Sequence, residues 1–224
     1  MEADPEKTFF TEMLTRDIEL RYAILDLLDN CFDGITRSVP TPKPSDSKPY
    51  ARYWAKITFD SDSFSIEDNC GGIPRDTALH YAFKFGKAEK RAQSTGTVGF
   101  YGIGMKRAIF KMGRHAKVIS QYKPTESLTV EIPRDWPTQK KWGFPYEDGG
   151  KQLDSPGTRI VIDDLLPPIR DSFSGRKGFS IDLQTTVARY YGRIIERGFH
   201  IYINGDEVPT TEFRLLVPGS LLKR

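Results

Sequence analysis

The chain contains 224 residues, of which 38% are hydrophobic and 28% are charged, and its formal net charge is +3. A chain of this length buries roughly 70 to 75% of the surface that its unfolded form exposes, so it can form a core without disulfides. This composition excludes a chain that is disordered throughout, and the two cysteines exclude a disulfide scaffold and favour a reducing cytosol. Because no apolar run is long enough for a membrane span and the first residues lack a signal-peptide pattern, we expect a cytoplasmic protein without a membrane partner.

The basic residues are concentrated in one segment. Residues 84–117 contain nine Lys or Arg and one acid, a formal charge of +8, so the rest of the chain carries −5. The same segment holds six of the nineteen glycines. Glycine lets backbone N–H groups converge on an anion, which favours an anion-binding segment over a solvated basic loop. Binding of nucleic acid through these cations with Phe100 and Tyr101 is an alternative.

The first half of the chain predicts helices joined by a hairpin and glycine loops. Apolar residues at intervals of three and four predict a helix over residues 9–33, ended by Gly34. Alternating polar and apolar residues predict a hairpin with strands at 53–59 and 64–67. The elements that follow are a glycine loop over 68–74, a short helix that ends at Gly86, a second glycine loop over 94–104, and a helix from about Gly104 to Gly113.

The second half predicts mainly strands and one long helix. Its elements are strands at 116–122, 128–132 and 159–162, an irregular insertion at 133–157, a loop at 165–177, a helix at 180–197, and a strand at 199–203 turned by Asn204-Gly205. This order predicts an α+β fold, a two-layer α/β sandwich with one mixed, mostly antiparallel sheet and helices on one face. We expect a single domain over residues 1–224.

Three polar residues of the first helix share one face, because Asp26, Asn30 and Asp33 lie at i, i+4 and i+7. A polar face of an ordinary amphipathic helix would account for them. However, Asp and Asn weaken a helix interior, and here they interrupt an apolar segment. An Asn carbonyl one turn from a carboxylate can bind a hard cation beside a general base.

Two glycine motifs follow. Asp68-Asn69-Cys70-Gly71-Gly72-Ile73 comes directly after a strand, where a carboxylate can accept a hydrogen bond from an exocyclic amine and the glycines allow a flat ring to approach. An Asx turn is the simpler interpretation. Gly99-Phe100-Tyr101-Gly102-Ile103-Gly104 precedes a helix, whose N-terminal amides and dipole favour phosphate. It matches neither GxxxxGK[ST] nor GxGxxG. Gly157-Thr158 begins a late strand.

These motifs, in this order, resemble the GHKL ATPase superfamily, which includes gyrase, the ninety-kilodalton heat-shock chaperone, histidine kinases and MutL, with MORC proteins as relatives. The resemblance covers about residues 9–205 and is greatest to the MutL and MORC branches. It implies a Bergerat fold that binds ATP and Mg²⁺.

The resemblance also implies a role for each motif. Asp26 would be the general base, and Asn30 would bind Mg²⁺ and the nucleotide. Asp68 would accept a hydrogen bond from the adenine amine, supported by Thr158. Residues 86–101 would form a mobile lid over the triphosphate. The other residues expected at the nucleotide are Gly72, Ile73, Lys87, Gly99, Phe100, Tyr101, Gly102, Ile103, Gly104 and Lys106.

The sequence departs from the family pattern in two ways. Asp26 stands where the family usually has Glu, and a base must come within about 2.6 to 3.2 Å of the proton it removes, so we expect slow hydrolysis. In the gyrase and MutL branches a following domain supplies a lysine to the γ-phosphate. This sequence ends at Arg224, so we expect that lysine from the lid or a partner, or from a longer protein of which this is the N-terminal part.

We therefore predict an Mg²⁺-dependent ATPase in which lid closure drives a conformational change or an ATP-dependent homodimer, with nucleic acid bound only through downstream or partner regions. The alternative is an ATP-gated interaction module that hydrolyses little or no ATP and acts by population shift. Phosphoryl transfer, as in histidine kinases, is disfavoured because no His is suitably placed as an acceptor.

Overall fold

One eight-stranded sheet forms the centre of the molecule. The computed structural model describes residues 6–38, 43, 45–85, 103–175 and 178–210. The strands are β1 (Trp54–Phe59), β2 (Phe64–Asp68), β3 (Gly113–Lys123), β4 (Glu126–Ile132), β5 (Tyr146–Gly149), β6 (Gly157–Leu165), β7 (His200–Ile203) and β8 (Asp206–Glu207). Their order is β5-β4-β3-β6-β2-β1-β7-β8, and neighbours are antiparallel except β1 and β7, which are parallel. The predicted mixed, mostly antiparallel sheet is confirmed.

The helices pack on this sheet and enclose the main core. They are α1 (Lys7–Thr15), α2 (Leu20–Ser38), α3 (Arg75–Thr77) with a π-helical turn at Ala78–Ala82, α4 (Gly104–Met112), α5 (Pro167–Ser174) and α6 (Gly178–Glu196). Apolar residues of α2, α4 and α6 form one buried cluster with those of the sheet, including Leu28, Ile109 and Val187. The α+β sandwich is therefore confirmed. Among the described residues, no helix is long and apolar enough to cross a membrane.

The helix predicted over residues 9–33 is wrong, because two helices, α1 and α2, occupy this region. Helix α1 has contacts of its own with the predicted insertion. The buried ammonium of Lys7 donates hydrogen bonds to the carbonyls of Trp136, Gln139 and Lys141 at 2.9, 2.7 and 2.6 Å. Phe10 packs edge-on against Trp142, with ring centroids 5.4 Å apart. These contacts attach α1 to the insertion.

Two further predictions about local structure need correction. The sequence predicts a loop over residues 165–177, but α5 begins at Pro167, where a missing N–H costs nothing, and buries Ile169 and Phe173. The insertion at 133–157 is partly regular, since it contains a 3₁₀ turn at Trp136–Thr138 and strand β5.

Gly34 does not end α2, which continues to Ser38. Its role is steric: a Cβ at Gly34 would lie 2.6 Å from the carbonyl oxygen of Cys70, closer than real Cβ atoms come. Helix α2 therefore passes directly against the turn that follows β2. This contact determines how near the polar face of α2 lies to that turn.

We predict that Gly34→Ala lowers the free energy of unfolding by about 1 to 3 kcal/mol, because the clash outweighs the roughly 1 kcal/mol by which Ala favours a helix over Gly. Gly178→Ala is the matched control, since a Cβ there meets nothing within 4 Å. Urea denaturation of both variants measures the difference. Equal stabilities of Gly34→Ala and the wild type would contradict the tight contact.

Candidate functional site

Helix α2 carries two of the predicted site residues on consecutive turns. The side-chain amide of Asn30 donates a hydrogen bond to the backbone carbonyl of Asp26 at 2.8 Å, which leaves Asn30 Oδ1 as the atom suited to a hard cation. Asp33, the third residue of this face, is buried with 3% exposure. Asp29 accepts a hydrogen bond from the hydroxyl of Tyr191, so it connects α2 to α6.

Asp68 lies at the end of β2 and is buried, with 6% exposure. Its carboxylate accepts a hydrogen bond from the backbone N–H of Cys70 at 2.7 Å and another from the backbone N–H of Thr158. The thiols of Cys31 and Cys70 lie beside it. Burial raises the pKa of Asp68 to about 6, although these hydrogen bonds oppose the increase. Asp68 is therefore a preorganised acceptor whose ionisation costs free energy.

The two thiols are contacts that sequence reasoning missed, since it used the cysteines only to exclude a disulfide scaffold and to favour a reducing cytosol. Burial, and then the nearby carboxylate of Asp68, raise the pKa values of the Cys31 and Cys70 thiols. The thiols stay protonated at neutral pH as a result. Cys31 directly follows Asn30, so α2 contacts Asp68 immediately beside the predicted metal ligand.

The turn after Asp68 is packed closely against two strands. Gly72 has a φ of +63°, and a Cβ there would lie 2.5 Å from the carbonyl oxygen of Gln121 on β3. A Cβ at Gly157 on β6 would lie 1.9 Å from the carbonyl oxygen of Asp68. The backbone N–H of Ile73 donates to Ser120 Oγ at 2.6 Å. The fold itself thus requires Gly72, and contacts of Gly72 and Ile73 with a nucleotide stay predictions.

Helix α4 begins against Asp26. A Cβ at Gly104 would lie 3.5 Å from the Asp26 Cβ, which is ordinary contact, and Ile103 precedes it without a side-chain cap. One turn later, Arg107 donates two hydrogen bonds to Asp26 Oδ2, from Nη2 at 2.5 Å and from Nε at 3.2 Å. The amide end of a helix and a guanidinium therefore meet the carboxylate predicted to be the base.

Lys106 does not share the environment of Arg107. Its side chain is fully buried and donates to the carbonyl of Ala82 at 2.6 Å, with the ring of Phe85 5.4 Å away. Burial lowers its pKa to about 8. Its predicted contact with a nucleotide stays a prediction, and the α4 cation that pairs with Asp26 is Arg107. The signal for Arg107 was its spacing of three residues from Gly104, which places both on one helix face.

Part of the predicted site lies outside the described residues. The predicted residues that the structure does not describe are the lid at 86–101, with Lys87, Gly99, Phe100 and Tyr101 in it, and Gly102.

Residues 18–143 match the model of one protein family, described as histidine kinase-, DNA gyrase B-, and HSP90-like ATPases. The chain belongs to this ATPase family. The matched range contains α2, the turn after Asp68 and α4, and therefore Asp26, Asn30, Asp68 and Arg107, whereas Gly157-Thr158 and Tyr191 lie beyond it. Membership supports ATP binding and ATPase activity in general, whereas the likeness to MutL and MORC stays a prediction. Comparison with curated protein sequences finds no match to the chain.

We predict that the affinity of this ATPase-family protein for ATP falls as the pH drops below about 6, by up to about tenfold per pH unit, because a protonated Asp68 cannot accept the adenine amine as a carboxylate does. The free energy of unfolding of the nucleotide-free protein should show the opposite trend. Because the fold raises the pKa of Asp68 from 3.8, Asp68 contributes stability that is fully present below pH 3.8 and is lost as the pH rises through about 6. Titration calorimetry and urea denaturation between pH 5 and 8 test the two effects.

Asp68→Asn is the control, because its amide does not titrate and ATP's own protonation cancels in the comparison. An equal pH dependence in wild type and Asp68→Asn would contradict the assignment.

Proposed function

We propose that this protein binds Mg-ATP and hydrolyses it slowly, and that nucleotide binding closes the lid at 86–101 and promotes association of two copies. The observation that carries this proposal is that α2, which bears Asn30, contacts Asp68 through Cys31 and the first turn of α4 at Asp26. The contacts of α2 with Asp68, at Cys31, and with α4, at Asp26, are five residues apart, or about 7.5 Å along the helix. Helix α2 thus supports an adenine end and a phosphate end of one site.

The oxygen ligand that the site offers, from Asn30, suits an Mg²⁺ ion that is bound mainly by the phosphates of the nucleotide. Mg²⁺ usually keeps several waters and takes one or two protein ligands together with phosphate oxygens. Asn30 Oδ1 is a hard oxygen ligand of this kind. Among the described residues, no group of three or more His, Cys, Asp or Glu side chains could hold a metal ion. Asn30 would therefore bind Mg²⁺ only in company with ATP.

Hydrolysis requires a base for the attacking water. In the proposed reaction the water oxygen bonds to the γ-phosphorus, the bond to the β–γ bridging oxygen breaks, and ADP leaves with that electron pair. The proton of the water passes to the carboxylate of Asp26. Because Asp is one methylene shorter than Glu and Asp26 also binds Arg107, the rate should be low.

The ion pair between Asp26 and Arg107 also favours a second candidate, an ATP-gated interaction module with little or no hydrolysis. In that case the bound and free states would differ in conformation and not in turnover. The N-terminal helix offers a surface for association in either case, since Phe9 and Met13 on α1 are 60% and 52% exposed.

We predict that the wild type releases phosphate from Mg-ATP slowly and that Asp26→Asn lowers this rate at least about a hundredfold, because an amide cannot accept the proton. Asp26→Glu restores the reach of the usual family residue and should increase the rate. A coupled phosphate-release assay, with ATP affinity measured in parallel, provides the test. No release by the wild type, or an unchanged rate in Asp26→Asn with binding intact, would favour the interaction module.

We predict that Gly104→Ala weakens ATP binding without weakening the fold. A Cβ at Gly104 makes only ordinary contact with Asp26, and Ala favours helix over Gly, so the free energy of unfolding should be unchanged or higher by up to about 1 kcal/mol. The affinity should fall because the phosphates approach the backbone at this point. Gly72→Ala is the contrasting variant, and it should destabilise the protein because of the clash with Gln121. Unchanged ATP affinity in Gly104→Ala would argue against phosphate at this helix end.

A further inference from the structure

Arg107 lies beyond the glycine motif at 99–104, and neither the motifs nor the family match assigns it a role. Its guanidinium donates to Asp26 Oδ2 from two nitrogens, at 2.5 and 3.2 Å. A carboxylate oxygen has two lone pairs, so Arg107 occupies this oxygen as well as neutralising its charge. The base proposed for hydrolysis is thus partly engaged before any substrate arrives.

We propose that Arg107 exchanges partners: it binds Asp26 in the nucleotide-free protein and binds the polyphosphate of a bound nucleotide, which releases Asp26 to act on water. This inference rests on the proposed function. It makes Arg107 both a substrate-binding residue and the group that holds the base inactive when the site has no substrate.

The ion pair is suited to exchange because it is partly open to solvent. The side chains of Arg107 and Asp26 are 36% and 25% exposed. Ion pairs near water are weak, so breaking this one costs little. The planar fork of an arginine matches phosphate oxygens, and a polyphosphate offers more negative charge than one carboxylate. Bound polyphosphate can therefore compete with Asp26 for the guanidinium.

The position of Arg107 on α4 supports the same conclusion. Arg107 lies one turn after Gly104, on the helix end whose amides and dipole favour an anion. The other two basic residues of α4 point elsewhere, since Lys106 donates to the carbonyl of Ala82 and Lys111 to that of Thr15. Of the cations on α4, Arg107 is the one that faces the base.

A double-mutant cycle tests the exchange. Binding of Mg-ATP and of inorganic tripolyphosphate is measured by calorimetry for the wild type, Arg107→Gln, Asp26→Asn and the double variant. We expect Arg107→Gln to weaken both ligands by about tenfold or more, because a charge-assisted contact is lost. We expect Asp26→Asn to strengthen binding, and by a larger factor when Arg107 is present, because the freed guanidinium then binds phosphate without a competitor.

Three further variants separate this effect from simpler ones. Arg114→Gln removes the same charge from an exposed position on β3 and should change affinity by less than about twofold. Arg107→Lys keeps the charge but not the fork and should recover only part of the affinity. Asp68→Asn should weaken ATP and leave tripolyphosphate unchanged. Thermal unfolding verifies that each variant is folded.

The outcomes distinguish this inference from the function on which it rests. A wild type that binds neither ligand overturns both. A wild type that binds both ligands, with Arg107→Gln binding equally well, overturns the exchange alone. The exchange is also overturned if the Arg107 and Asp26 substitutions have additive effects on the binding free energy. An Arg107–Asp26 ion pair that stays intact when the ligand binds would act on phosphate only through the sum of its two charges.

Discussion

The turn from Asp68 to Gly72 packs against α2, β6 and β3 at points where the close approach depends on a missing Cβ. Helix α2 passes it at Gly34, strand β6 at Gly157, and β3 at Gly72 itself, where an added Cβ would lie 2.6, 1.9 and 2.5 Å from a carbonyl oxygen. Side chains cannot be accommodated at such distances from backbone, so any larger residue must move an element. The glycines thus fix how closely α2, β3 and β6 pack on the turn that follows Asp68.

This close packing explains the electrostatics of Asp68, the residue predicted to bind the adenine amine. A carboxylate buried this deeply must be hydrogen-bonded to be tolerated, and the backbone N–H groups of Cys70 and Thr158 serve that purpose for Asp68. They do not fully offset the loss of water, since the pKa of Asp68 remains raised to about 6. An incoming donor therefore meets an acceptor that is held in position and still incompletely solvated, which favours a directional hydrogen bond over a general attraction for cations.

Local patterns in the sequence were sufficient for much of the fold and not for its long-range contacts. The hairpin of β1 and β2, strands β3, β4 and β6, and helix α6 have clear apolar periods and could be predicted. The attachment of α1 to the insertion could not, because the partners of Lys7 lie 129 to 134 residues away. The same limit applies to the site. Asp26, Asn30 and Asp68 belong to recognisable motifs, whereas the pair of Arg107 with Asp26 spans 81 residues.

Tertiary structure also places the neighbouring cations of the basic segment, residues 84–117, in different environments. In the sequence, Lys106 and Arg107 are neighbours in a segment of charge +8, and only Lys106 is expected at the nucleotide. On a helix, adjacent residues are about 100° apart, so they enter different environments. Lys106 enters an aromatic and backbone environment where burial lowers its pKa, and Arg107 reaches a carboxylate near solvent. In the proposed exchange, the attraction of α4 for an anionic ligand therefore depends on how readily Asp26 gives up the guanidinium of Arg107.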